Sequence, residues 1–149
     1  MSVADFATNT GSARTGYGTP IPVALAKTWL EPEARAILVL LSNTNGIEAH
    51  SSTQRLFTEQ QRLAMIARDR GCSYWGCDLP PAWTQAHHVH DYRHTRTTRV
   101  DDGTLVCGGN HRSFQEMGWT NTMIHGRPYW VPPSWIDPSR TPRRNRLHD

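Results

Sequence analysis

Three cysteines in two short segments constrain the fold of this 149-residue chain more than any other feature. Cys72 and Cys77 flank a turn that contains Gly76, and Cys107 precedes His111 by four residues, with two glycines between them. Two pairs of soft ligands about thirty residues apart are typical of a structural zinc site. The alternative is three buried cysteines that serve only as small apolar side chains. Because an odd number of cysteines does not suit a disulfide framework, we expect a reducing compartment, the cytoplasm.

The length of the chain predicts a single domain, and its apolar content predicts a thin hydrophobic core. A bound zinc ion would supply stability that such a core lacks. No apolar run approaches the roughly 18 residues that a membrane span requires, and the N-terminus has no signal-peptide pattern. We therefore expect no membrane association. The net charge of +3 comes from an arginine excess in the last third, which suits phosphate binding or reflects a coding bias alone.

Composition and turn signals divide the chain into four segments. Gly, Ser, Thr and Asn enrich the start, which we expect to be a mobile tail, and clustered arginines predict a disordered tail at the end. The predicted segments are a disordered tail (1–19), a linker or remnant of a larger N-terminal region (20–56), the main domain (57–135) and a basic tail (136–149).

Local signals predict an α+β fold with a capped helix and two hairpins. Thr58 and Gln61 form a capping box at the start of the helix, and Gly71 ends it. Turn residues lie between each pair of predicted strands. The predicted elements are a helix over 23–31, strands over 36–42 and 47–51, a helix from Thr58 to Arg70, and strands over 119–124 and 129–131.

A pair of adjacent histidines, His87 and His88, follows the cysteine turn. Adjacent side chains point to opposite faces of an extended segment, so one imidazole can hold a metal while the other faces water or substrate. The spacing favours a functional role for the pair, because Asp102 and then His111 follow at short distances in the sequence.

Together these residues resemble the HNH endonuclease family, and most closely the HNH domains at the C-terminus of large actinobacterial proteins. The resemblance covers roughly residues 55–146 and implies a ββα-metal module with a zinc knuckle inside 57–135. The helical N-terminal region of those proteins is mostly absent here, which implies a truncated relative. The matching motifs are Arg68–Cys72, Gly76–Asp78, Pro80–Trp83, Ala86–His88, Cys107, His111–Arg112, Gly118–Trp119 and Pro132–Trp135.

The resemblance implies a metal-dependent endonuclease that hydrolyses DNA phosphodiester bonds, with DNA as its partner and no protein partner indicated. His87 and His111 would hold a divalent catalytic ion (Mg, Mn, Ni or Zn), and His88 would be the general base. A structural zinc ion would be held by Cys72, Cys77 and Cys107. The candidate phosphate contacts are Arg93, Arg96 and Arg112, for which solvated loop charge is the alternative.

Three positions depart from the family pattern. Asp102 replaces the asparagine that orients the base, and a carboxylate there would raise the pKa of His88. Asn110 replaces a histidine that supplies the fourth zinc ligand, a place that His111 could take instead. Gln115 replaces a further histidine on the same helical face. These departures favour a second hypothesis, a catalytically impaired nucleic-acid-binding remnant, and a third is a zinc-stabilised protein-interaction module.

Two roles are possible for each of several further histidines and aromatic residues. His90 and His94 are candidates for contact with substrate or ion, with surface positions as the alternative. The aromatic residues near the cysteine turn either stack on bases or pack over the zinc knuckle. They are Tyr74, Trp75 and Trp83.

Overall fold

The structure, a computed structural model, describes residues 3–29, 41–42, 46–47, 51–52 and 54–149. The chain forms two compact units, residues 1–38 and 39–149. The sheets are small and two-stranded, and the class is α+β as the sequence predicts. No helix in these described ranges is both long and apolar enough to cross a membrane.

The first unit consists of short elements, two of which lie in the predicted disordered tail. Strand β1 pairs antiparallel with β2, with Ala13 opposite Ile21. The side chains of Ala13 and Val23 are buried, which gives this unit a small apolar centre. Its elements are α1 (Val3–Thr8), β1 (Ser12–Arg14), β2 (Pro20–Pro22) and α2 (Val23–Thr28).

The second unit contains the longest helix and most of the paired strands. Its two-residue strands β3 and β4 pair antiparallel where the first hairpin is predicted, while residues 36–40, 43–45 and 48–50 of that prediction lie outside the described residues. Its elements are β3 (Leu41–Ser42), β4 (Gly46–Ile47), β5 (Ser51–Ser52), α3 (Glu59–Asp69), β6 (Thr84–His88), α4 (Tyr92–Thr95), β7 (Thr98–Arg99), β8 (Gly103–Cys107), α5 (Gly108–Ser113), β9 (Thr120–Ile124) and β10 (Arg127–Val131).

Helix α3 begins at the predicted capping box. The Gln61 amide donates to Thr58 Oγ1 at 3.3 Å, and the Thr58 amide donates to Gln61 Oε1 at 2.9 Å. At the other end, Arg70 rather than Gly71 adopts the left-handed conformation, with φ 58°. Gly71 instead lies against the His148 ring, which a Cβ at this position would approach to 2.4 Å.

A buried ion pair joins α3 to β8. The Arg68 guanidinium donates to the carbonyls of Val100 at 2.9 Å and Gly103 at 2.6 Å, and it pairs with Asp69 at 2.6 Å. Asp69 Oδ2 in turn accepts the Leu105 amide at 3.0 Å. Since both charges are paired and hydrogen-bonded, the cost of burying them is offset, and the pair sets the position of β8 against the helix.

Two apolar clusters fill this unit around the central hairpin of β6 and β8. One lies under α3 and contains Met65, Val100 and Leu105. The other lies under the C-terminal hairpin of β9 and β10, which forms where the sequence predicts it. Its buried residues are Cys72, Val106, Cys107, Phe114, Trp119 and Trp130.

The C-terminal segment packs against the cysteine turn, which corrects the prediction of disorder there. The amide and carbonyl of Arg143 both pair with Trp130 at 2.8 Å. The side chain of Asn145 donates to the carbonyls of Cys72 at 2.8 Å and Cys77 at 2.7 Å. Arginine-rich composition favours disorder, but these backbone pairings and the buried asparagine hold the segment in place.

Candidate functional site

The three predicted cysteines meet at the end of β8. Their sulfur atoms all lie within 4.8 Å of one another, and all three are free thiols. Cys72 and Cys77 come from the turn after α3, which the Cys77 amide closes by donating to the Tyr74 carbonyl at 3.1 Å. Tetrahedral zinc at about 2.3 Å from each thiolate needs sulfurs roughly 4 Å apart. The cluster could therefore hold a metal ion with little movement.

Backbone amides point at the sulfur atoms of this cysteine cluster. The Cys107 amide donates to Cys72 Sγ at 3.2 Å, and the Asn110 amide donates to Cys107 Sγ at 3.5 Å, which caps helix α5. Burial raises the pKa of the Cys72 thiol to about 12 and also raises the pKa of Cys77. Without a cation these thiols stay protonated at neutral pH, whereas a metal ion would hold them as thiolates.

Asn110 lies beside the cysteine cluster, with Nδ2 at 3.6 Å from Cys72 Sγ. Within the described part of the chain, no imidazole or carboxylate joins the three thiols as a fourth donor. His111, the predicted substitute, instead places its Nε2 against His87.

The predicted ligands of the catalytic ion are brought together by β6 and α5. His87 Nδ1 lies 3.0 Å from His111 Nε2, and the edge of Phe114 packs on the His87 ring with centroids 5.2 Å apart. Two nitrogens bound at right angles, each about 2.1 Å from one ion, would be about 3.0 Å apart. Burial, followed by the charges of His111 and His88, lowers the pKa of His87 to about 4. Its lone pair is therefore available to a metal at neutral pH.

His88 projects from the opposite face of β6. Its Nε2 lies 3.1 Å from Thr98 Oγ1, and its ring packs on Phe57 with centroids 4.3 Å apart. Burial lowers the pKa of His88, although Asp102 acts in the raising direction as the sequence predicts. Because burial outweighs the carboxylate, His88 is neutral at pH 7 and can accept a proton.

Asp102 closes the loop that follows the histidines. Its carbonyl accepts the Val89 amide at 2.8 Å, and its Oδ1 accepts the His90 amide at 3.2 Å. The same Oδ1 lies 2.5 Å from His90 Nδ1. A carboxylate, which only accepts, is sufficient here because its amide partner, the His90 N–H, donates, while the Val89 amide bonds to the backbone carbonyl. Asp102 therefore fixes the backbone on the far side of His88.

The predicted phosphate-contact arginines are all exposed, and the structure leaves their role as a prediction. Arg93 lies on α4 and Arg96 ends that helix, while Arg112 lies on α5. Sequence reasoning missed Thr98 and Arg55, the latter lowering the pKa of His88 by its charge. Thr98 follows a basic loop and belongs to no motif, so nothing in the local sequence indicates its role.

The aromatic residues near the cysteine turn divide between packing and exposure. The Tyr74 ring packs on Trp119 and Trp130, with centroids 5.3 Å and 4.9 Å apart. Trp75 stacks on Trp119 and receives the Arg143 guanidinium at 4.9 Å from its ring centre. Trp83 is 64% exposed beside the start of β6. Tyr74 therefore packs against the apolar cluster that contains Cys72 and Cys107, whereas Trp75 is 45% exposed and covers Trp119.

Comparison with known proteins finds mycobacterial relatives. The chain is 37% identical over 139 residues to the uncharacterized protein Rv1128c of Mycobacterium tuberculosis, covering 93% of this chain and 30% of that protein. It is 36% identical over 141 residues to the uncharacterized protein Mb1179c of Mycobacterium bovis, covering 93% of this chain and 30% of that protein. No family model matches the chain, and no solved structure matches it. The chain spans about 30% of the length of these curated relatives.

Proposed function

We propose that this chain is an HNH-type, metal-dependent endonuclease that hydrolyses DNA phosphodiester bonds. The observation that carries the proposal is the 3.0 Å approach of two imidazole nitrogens, His87 Nδ1 and His111 Nε2, beside a third imidazole at the same strand end. His88 is close enough for its charge to lower the pKa of His87. Two ligands and a neutral base in this order supply what phosphodiester hydrolysis needs.

The local topology supports the same proposal. Strand β6 carries His87 and His88, a loop closed by Asp102 leads to β8, and α5 follows directly with His111. This antiparallel pair followed by a short helix has the order of a ββα-metal module. The motifs by which the chain resembles the HNH family support the same activity.

The mechanism divides the work among a few side chains. His87 and His111 would hold a divalent ion, which when bound stabilises negative charge on the scissile phosphate and the leaving oxygen. His88 accepts a proton from the attacking water, whose remaining electron pair forms the new bond to phosphorus as the bond to the leaving oxygen breaks. The leaving oxygen then takes a proton from solvent. Asp102 holds the loop that positions His88, and exposed arginines bind flanking phosphates.

The cysteine cluster would hold a structural zinc ion in this proposal. Three thiols and inward-pointing amides suit zinc, which prefers thiolate and imidazole ligands. The cluster ties together the turn after α3, the end of β8 and the start of α5. Zinc there would stabilise the sheet on which the histidines lie.

Cleavage of supercoiled plasmid DNA by the zinc-loaded chain tests the proposal, with magnesium, manganese, nickel or zinc added. His88→Ala should abolish cleavage and leave DNA affinity nearly unchanged. A matched control is His125→Asn, because His125 lies at a positive φ of 49° in a turn and asparagine tolerates that conformation. Cleavage by His88→Ala at the wild-type rate would contradict the proposal.

A DNA-binding remnant without activity is the second candidate, favoured by Gln115. This exposed residue lies four positions after His111, where the family has a histidine, and an amide is a poorer ligand. The remnant would bind DNA in a salt-sensitive way but cleave with none of the four ions. Restoring histidine by Gln115→His should then increase metal binding at His87 and His111.

A further inference from the structure

The contact between His88 and Thr98 indicates which ring nitrogen of His88 carries the proton. This inference rests on the proposed function. We propose that Thr98 is a positioning residue for the general base. Its hydroxyl holds neutral His88 as the tautomer protonated on Nε2, so that Nδ1 is the atom that accepts the proton of the attacking water.

The hydrogen bonds around Thr98 Oγ1 determine the direction of each donor. This oxygen lies 2.6 Å from the Gln54 carbonyl, 3.2 Å from the Arg55 carbonyl and 3.1 Å from His88 Nε2. A carbonyl oxygen only accepts, and a threonine hydroxyl has one proton. An oxygen–oxygen distance of 2.6 Å therefore requires that this proton point to Gln54. Oγ1 then offers only lone pairs to the imidazole, and His88 Nε2 must be the donor.

The opposite tautomer would break this arrangement. A lone pair on Nε2 would face a lone pair on Oγ1, or the hydroxyl would turn away from the Gln54 carbonyl. Thr98 is fully buried, so water cannot readily replace the lost partner. The same residue is fixed through its backbone, because Gln61 Nε2 donates to the Thr98 carbonyl at 3.0 Å. The hydroxyl is thus held in one place by groups that do not titrate.

Aromatic packing keeps the His88 ring in this orientation. The Phe57 ring lies 4.3 Å away between centroids at an interplanar angle of 35°, and the Tyr92 ring lies 5.9 Å away. Among the described residues, Nδ1 of His88 has no hydrogen-bond partner. The nitrogen opposite Thr98 is therefore the one left for water.

The same contact gains strength during the reaction. When Nδ1 takes the proton from water, the ring becomes a cation that still donates from Nε2 to Thr98 Oγ1. Charge-assisted hydrogen bonds are about twice as strong as neutral ones. Thr98 Oγ1 therefore remains the acceptor for Nε2 throughout the reaction.

Nitrogen-15 NMR of the histidine-labelled, zinc-loaded full chain tests the assignment without any need for cleavage. At mildly alkaline pH, the His88 signals, identified by their loss in His88→Gln, should show a protonated Nε2 and an unprotonated Nδ1. The Nε2 proton should exchange slowly with water. Thr98→Val keeps the side-chain shape without the hydroxyl and should exchange that proton quickly, whereas Thr98→Ser should retain slow exchange.

Kinetics supply the second readout. Thr98→Val should lower kcat for plasmid cleavage about 10-fold or more with KM unchanged, and Thr98→Ser should recover most of it. A wild-type His88 protonated on Nδ1 would overturn the proposal, even if Thr98→Val failed to fold. A folded Thr98→Val chain with wild-type exchange and kcat would also overturn it. If none of the four ions supports cleavage by the wild-type chain, the proposed function fails. The NMR result still decides the tautomer of His88.

Discussion

The cysteine cluster and the histidine pair lie at opposite ends of the same two-stranded sheet. Cys107 pairs with Thr84 at one end of β6 and β8, and His88 pairs with Gly103 at the other. The cysteine end is the more buried, with Cys72 at 0% and Cys107 at 4% exposure and Cys77 half-buried. The histidine end is partly open. The comparison teaches that a sheet of ten residues can bury two of three clustered cysteines at one end and leave imidazoles partly exposed at the other.

Helix α5 connects the two ends through neighbouring residues. Asn110 contacts Cys72 Sγ, and His111 contacts His87 Nδ1. A metal ion in the cysteine cluster would therefore fix the start of the helix that places His111. We infer that the two sites differ in role, one for stability and the other for chemistry, but share one helix.

The largest expected effect comes from breaking the cysteine end. Cys107→Ser should remove bound zinc and abolish cooperative unfolding, since structural zinc contributes on the order of 10 kcal/mol to small metal-stabilised folds. Circular dichroism during thermal unfolding measures the loss. The matched change at the other end, His111→Ala, should keep the zinc and the transition. An unchanged transition in Cys107→Ser would contradict the structural role.

Arg68→Met should give the next largest effect, because it leaves Asp69 charged and buried. Removing one partner of a buried ion pair costs about 3–5 kcal/mol. Urea unfolding measures the free energy, with Arg99→Met as the control because its pair with Asp101 is exposed. Equal unfolding midpoints for the two variants would show that the buried pair does not hold β8.

Asn145→Ala tests whether the C-terminal segment belongs to the cysteine end. The change removes two hydrogen bonds to the carbonyls of Cys72 and Cys77 and should cost about 1–3 kcal/mol. Zinc should also leave faster, which a colorimetric chelator measures in a stopped-flow experiment. Gln60→Ala on the exposed face of α3 is a control away from the cysteines. Zinc release at the wild-type rate would show that this segment does not help to retain the metal.

The pH profile of cleavage is the smallest expected effect and concerns the histidine end alone. Burial lowers the pKa of His88, so the neutral base persists below the ordinary histidine pKa of about 6.5. As pH falls, kcat should decline with a midpoint below that value. Measurement at constant ionic strength with saturating ion checks the direction. A midpoint above 6.5 would mean that Asp102 outweighs burial.

Local signals in the sequence predicted much of this arrangement. The capping box at Thr58, the C-terminal hairpin and the meeting of three cysteines all depend on short-range patterns or on ligand spacing. The assignment of His87 and His88 to opposite faces follows from strand geometry alone.

The remaining features depend on contacts between distant parts of the chain. The Asn145 contacts to the cysteine turn span about seventy residues, and composition predicted disorder there. The Arg68 contacts and the Thr98 hydroxyl likewise join segments far apart in sequence. Whether the pKa of His88 is raised or lowered depends on burial as well as on nearby charge. The extent of burial cannot be read from the sequence.

The most direct test of two separate sites is the zinc content of the chain after mild chelation, measured by elemental analysis. We expect about one zinc per chain in the wild type and in the double variant His87→Ala/His111→Ala, and none in Cys107→Ser. Zinc lost from the histidine variant, or retained by the cysteine variant, would contradict the division between a stabilising centre and a chemical one.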